Sequence, residues 1–166
     1  MSIETTTRTT FIIHDLDGHA HYVQQDELMS VACDCIREHF AKGSTVTNPA
    51  TASLQLQLLL GAYEHEVFSA LWLDNRHRII RHSELFRGTI DAASVYPREV
   101  VKDALSCNAA AVIFAHNHPS GIAEPSQADV KITERLVKAL ELIDVRVLDH
   151  FVIGETVVSM AERGLL

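Results

Sequence analysis

Apolar side chains recur along this chain in two rhythms, one near 3.6 residues and one near 2, and their succession predicts the order of elements. From Asp26 to Ala41, Leu28, Val31, Ala32, Cys35, Ile36 and Phe40 mark one helical face, with Asp26 as its cap and Gly43 as its stop. Cys33 falls off that face. Asn48-Pro49 opens a second helix by the cap-then-proline rule, and Leu54, Leu58 and Leu59 carry it to Gly61. Glu66 to Leu73 reads as a strand, Asp74-Asn75 as a turn, and His77 to His82 as the hairpin partner. Two or three further short strands are expected through Glu84 to Val95. Pro97 then begins a helix packed through Val100, Val101, Ala104 and Leu105.

Ala110-Ala111-Val112-Ile113-Phe114-Ala115 is a short apolar run with β-branched and aromatic members, the pattern of a strand buried on both faces. Helical spacing returns at Ile132, Leu136, Ala139, Leu140 and Ile143. Val145 to Leu148 and Phe151 to Ile153 read as strands with Asp149-His150 between them, and Val157 to Met160 as a last strand before a docked terminus. Met1 to Thr10 is a polar, threonine-rich end, and Phe11-Ile12-Ile13 is too short to assign. The order predicts an α/β (mixed α+β) domain, a mixed β-sheet flanked by helices.

Chemistry concentrates where the buried strand gives way to the helix. Side chains two apart on a strand point the same way, so His116 and His118 present two imidazoles to one point while Asn117 faces elsewhere. Pro119 ends the ladder. Ser126 followed by Asp129 is a helix-start signature, and a first-turn carboxylate leans back toward the helix start. Two neutral imidazoles and one carboxylate, with a fourth position open to water, form the ligand set of a catalytic zinc site. Alone, each half has a plainer reading, a common histidine pair and a capping box. Together they put three ligands at the carboxyl end of one strand, where α/β folds place their sites.

Composition narrows the alternatives. At 166 residues, 47% hydrophobic and 22% charged, the chain has the balance of an ordinary soluble domain. Fourteen basic against 22 acidic residues give a net charge of −8, which disfavours a broad nucleic-acid surface. Cys33, Cys35 and Cys107 lack metal-knuckle spacing and leave an odd thiol under any pairing, so reduced cytosolic thiols are expected. The start lacks a secretory pattern, and no apolar run approaches the roughly 20 residues needed to cross a bilayer, so a cytoplasmic protein with no membrane partner is expected. His14, His19 and His21 lie close in sequence, but the acidic turn Asp15-Leu16-Asp17-Gly18 collects polar residues without needing a metal. A deaminase would require His-x-Glu and Pro-Cys-x-x-Cys, which are absent, and the His116-Asn117-His118 spacing does not fit an HNH nuclease.

His-x-His, seven residues, then Ser-x-x-Asp is the JAMM motif of the MPN+ metallopeptidases. More narrowly, His116-Asn117-His118-Pro119-Ser120-Gly121 and Pro125-Ser126, with Phe86-Arg87-Gly88-Thr89, Pro97-Arg98-Glu99 and Asp149-His150, resemble the bacterial RadC family, especially its short members. The resemblance runs from about Asn48 to Leu166. It implies an MPN/JAMM-like fold with cytidine-deaminase-like layering at residues 48–166, preceded by a helical extension at 1–47. It implies Zn2+ as cofactor on His116, His118 and Asp129, and a peptide or protein substrate.

In that superfamily a glutamate at the start of an early strand is the general base. The matching position is Glu66, although Glu64 shares its parity. The resemblance gives Ser126 the role of steadying the oxyanion, in competition with capping the helix. Arg87 and Arg98 are candidates for substrate contacts, with ion pairing as the plainer account. Asp149-His150 reads as a structural pair in a turn. Two function classes follow, a zinc-dependent hydrolase of peptide or isopeptide bonds and a DNA repair or recombination-associated binding module whose metal is structural or vestigial.

Overall fold

A computed structural model describes residues 10–15, 17–39, 42–46, 48–88 and 95–166, with backbone alone at 33–39 and Pro49. The expectations for the first nine residues, for the Cys33 and Cys35 side chains and for the stretch 89–94 lie outside the described residues. The chain divides into two compact units, one ending at Glu38 and one beginning at His39.

In the first unit, β1 (Thr10–His14) and β2 (Ala20–Gln24) pair antiparallel, and α1 (Gln25–His39) follows directly. The three apolar residues at Phe11 to Ile13 were too few to predict the hairpin. Its turn is built by a polar residue instead: the Asp15 carboxylate accepts from the backbone N–H groups of Asp17 and His19 and lies 2.9 Å from the His21 ring.

The second unit runs α2 (Pro49–Leu60), β3 (Val67–Leu73), β4 (Ile79–Arg87), α3 (Pro97–Ser106), β5 (Ala111–Asn117), α4 (Gln127–Glu141), β6 (Arg146–Ile153) and β7 (Val157–Ser159). The strands lie in the order β4-β3-β5-β6-β7. β3 is antiparallel to both β4 and β5, while β5 and β6 are parallel, a pairing that requires the crossover helix α4. The expected mixed sheet flanked by helices is therefore what is found.

Every residue of β3 and of β5 is buried, as central strands covered on both faces must be. On one face Phe68, Ala70, Trp72, Val112 and Phe114 pack with Val100 and Ala104 of α3 and Leu136 and Leu140 of α4. Burying rings such as Trp72 and Phe114 contributes roughly 4–6 kcal/mol each before conformational entropy is set against it. The Trp72 indole N–H also donates to Asp103 at 2.6 Å, tying α3 to the sheet. Helix α2 packs on β5, β6 and β7.

Four expectations are corrected. Helix α2 buries Ala52, Leu56 and Leu60, whereas Leu54 and Leu58 are exposed. Its leucines occupy several sides, so sequence periodicity could not choose a face, and the sheet chose the i, i+4 stripe. Leu105 of α3 is likewise exposed while Val100 and Ala104 face the core. Of the short strands expected between Glu84 and Val95, the part at Glu84 to Arg87 is the end of one nine-residue strand, β4, whose polar residues are tolerated because it lies at the sheet edge. Asp149-His150 forms no turn: β6 runs straight through it, with a register shift opposite Val112 and Ile113.

Candidate metal centre

The two histidines are delivered by different backbone. His116 is still in β5, 1% exposed, opposite Phe68 on β3 and stacked on its ring at 6.2 Å. His118 has left the strand, and its amide donates to the Ile153 carbonyl at 2.7 Å. The following loop returns sharply through Gly121, whose φ of +81° favours glycine, and Glu155 N–H donates to the Gly121 carbonyl at 2.8 Å. A Cβ at Gly154 would lie 2.2 Å from that carbonyl oxygen, so only glycine lets the loop rest there. His118 Nδ1 donates to the Ile122 carbonyl at 2.7 Å, which fixes the ring with Nε2 toward His116.

Helix α4 brings the carboxylate. Ser126 Oγ accepts from the Asp129 amide at 3.2 Å, and Ser126 N–H donates to Asp129 Oδ2 at 2.7 Å. This reciprocal cap turns Asp129 back toward the strand end. His116 Nε2 lies 3.0 Å from His118 Nε2 and 3.5 Å from Asp129 Oδ1, and His118 Nε2 lies 3.7 Å from Asp129 Oδ2. Donors on a tetrahedral zinc ion stand about 3.3 Å apart, given bond lengths near 2.0–2.1 Å. The trio could hold such an ion with little movement.

Charge points the same way. Burial opposes ionisation of Asp129, yet the facing His116 and His118 rings, and then the Ser126 side chain, hold its carboxyl well below the ordinary carboxylate range. The same carboxylate raises the His118 pKa against burial, helped by the Ile122 carbonyl and by Glu66.

Glu66 stands just before β3. It precedes by two residues Phe68, the partner of His116 in the sheet, and is near enough to His118 to help raise that ring's pKa. Its position is held by Asn117, buried on the opposite face. Asn117 Oδ1 accepts from Val67 N–H at 2.8 Å, and its amide donates to the carbonyls of His65 at 3.0 Å and Tyr63 at 3.2 Å. Gly88 N–H donates to the Glu66 carbonyl at 2.7 Å. Glu64 is exposed and lines, with Tyr63, Ser120 and Glu155, a cleft of about 590 Å³ that His118 reaches and that His116, Asp129 and Glu66 do not line. Arg87 is paired with Glu84 at 2.5 Å, the plainer of its two readings.

Sequence reasoning left His150 out of the site. It is fully buried, with Nε2 2.8 Å from His116 Nδ1 and Nδ1 2.6 Å from the Thr133 hydroxyl. Burial, then the neighbouring His116, push its pKa well below the ordinary value. Asp149, beside it, accepts from the His150 amide, the Ser159 hydroxyl and the Ala161 amide instead. The available signal was the apolar run on both sides of the pair without glycine or proline, which favours a continuous strand over a turn.

Residues 46–165 match the family described as a RadC-like JAB domain. The chain is 55% identical over 163 residues to a UPF0758 protein of Marinobacter nauticus, covering 98% of this chain and 73% of that one. A UPF0758 protein of Vibrio cholerae is 55% identical over 142 residues, 86% of this chain and 90% of its own. One of Halorhodospira halophila is 53% identical over 160 residues, 96% of this chain and 71% of its own.

Proposed function

The chain belongs to the RadC-like JAB domain family, and from that premise we propose that it is a zinc-dependent hydrolase of the metallopeptidase type, cleaving an amide bond in a peptide or protein. The observation that carries this reading is the convergence of His116, His118 and Asp129, each offering a ligand atom within 4.8 Å of the others, with His118 also lining an open cleft. In this reading residues 48–166 are the hydrolase domain and residues 1–47 an extension. The reaction is assigned to the cytoplasm, where Cys107 would stay a free thiol.

His116, His118 and the ionised Asp129 would hold the ion. A bound zinc ion would supply Lewis acidity toward a carbonyl oxygen and lower the pKa of water toward neutrality. Glu66 takes a proton from the attacking water and returns it to the leaving amine. Ser126 Oγ accepts in its cap, and in this reading its hydroxyl proton turns to the developing oxyanion. Asn117 keeps the Glu66 segment in register, and the His118–Ile122 bond keeps the second imidazole from turning away.

Purified protein should contain zinc and cleave members of a cellular peptide and protein library, with cleavage stopped by a chelator and by Glu66→Gln. Salt-sensitive DNA binding by metal-free protein, with no cleavage, would select the repair-associated binding module instead.

A further inference from the structure

We propose that Thr133 and His150 are positioning residues that set the proton arrangement of His116, holding its Nε2 as a lone pair directed into the site. The inference rests on the reading of His116 as a ligand only for its consequence in metal binding. The proton order itself follows from the hydrogen bonds.

The chain starts at a group that can only accept. The backbone carbonyl of Asp129 lies 2.6 Å from Thr133 Oγ1, so the Thr133 hydroxyl spends its single proton there. The Met160 sulfur, 3.8 Å away, is the poorer acceptor. At 2.6 Å from His150 Nδ1, the same hydroxyl can then only accept, so His150 carries its proton on Nδ1. A neutral imidazole has one such proton, and an unpaired charge at a site without solvent exposure would be costly. His150 Nε2 is therefore an acceptor, and His116 Nδ1, 2.8 Å away, must donate to it.

His116 is left with its lone pair on Nε2. His118, donating from Nδ1 to the Ile122 carbonyl, is ordered the same way by a different partner. The His116 lone pair thus faces His118 Nε2 at 3.0 Å beside a carboxylate, an arrangement that asks for a cation between the rings, a proton on His118 Nε2 or a metal ion in its place. Three elements carry the chain, Thr133 on α4, His150 on β6 and His116 on β5, so it also joins the Asp129 turn to the strand end through the core. Phe68 and Phe114 wall His150 at 5.3 and 6.0 Å between ring centres and keep water from competing.

The test reads tautomers first. Nitrogen-15 imidazole spectra of metal-free protein should show the Nδ1–H form at both His150 and His116, and an Nε2–H form at either overturns the proposal. Thr133→Val, close to isosteric, should disorder both tautomers and weaken Co2+ binding by about 10–100-fold, the usual loss on removing an outer partner of a ligating histidine. Thr133→Ser should restore the wild-type tautomers and affinity. An unchanged His116 tautomer in Thr133→Val overturns the proposal even if that variant is less stable. Should the wild type take up no cobalt, the metal reading fails, while the tautomers still decide the proton order.

Discussion

Among the described residues, two groups of histidine and aspartate bring three ligand atoms within 4.8 Å of one another, His116, His118 and Asp129 in one and Asp15, Asp17 and His19 in the other. By spacing they are equivalent. By environment they are opposites. The Asp15 group is exposed at every member, and its hydrogen bonds close the hairpin turn that contains it. The His116 group is seated at a strand end, and each member is held from behind, His116 by His150, His118 by Ile122 and Asp129 by Ser126. An exposed ligand set must give up hydration and side-chain freedom to bind, whereas a set fixed by its surroundings has met those costs during folding. The difference teaches that proximity of donors is a weak sign of a site and orientation by a second layer is a strong one.

The largest predicted effect breaks the stronger group outright. Asp129→Ala should remove zinc from the purified protein and amide hydrolysis with it, read by metal analysis and by the cleavage assay. Next, Glu66→Gln should lower hydrolysis by about 10²–10⁴-fold, the scale of a general base, while zinc content is unchanged. If Glu64→Gln has that effect and Glu66→Gln does not, the base has been misassigned.

Asn117→Ala removes three hydrogen bonds to the segment before β3, one of them buried, and should cost roughly 2–4 kcal/mol in denaturant unfolding. Ser126→Ala should cost about 1 kcal/mol by loss of the cap. Its hydrolysis should fall by more than that, because an oxyanion donor contributes about 2.7–4 kcal/mol to the barrier. The smallest effect is on the weaker group, where His19→Ala should change neither zinc content nor hydrolysis.

What could be read from the chain divides along the same line. The strand parity of His116 and His118, and the three-residue step from Ser126 to Asp129, are local patterns, and local patterns survive in a sequence. The partners behind them are not local. His150 meets His116 only because β6 lies parallel to β5 in a register shifted opposite Val112 and Ile113, and no neighbouring residue encodes that register. Thr133 is one buried threonine on a helix until the fold sets it between Asp129 and His150. The same limit explains α2, where alternating leucines left the face open and the sheet buried Leu56 and Leu60 in place of Leu54 and Leu58.

The most direct measurement is the zinc content of protein purified without added metal, for the wild type, Asp129→Asn and His19→Ala side by side. One ion per chain is expected in the wild type and in His19→Ala, and none in Asp129→Asn. Zinc retained in Asp129→Asn, or lost in His19→Ala, would contradict it.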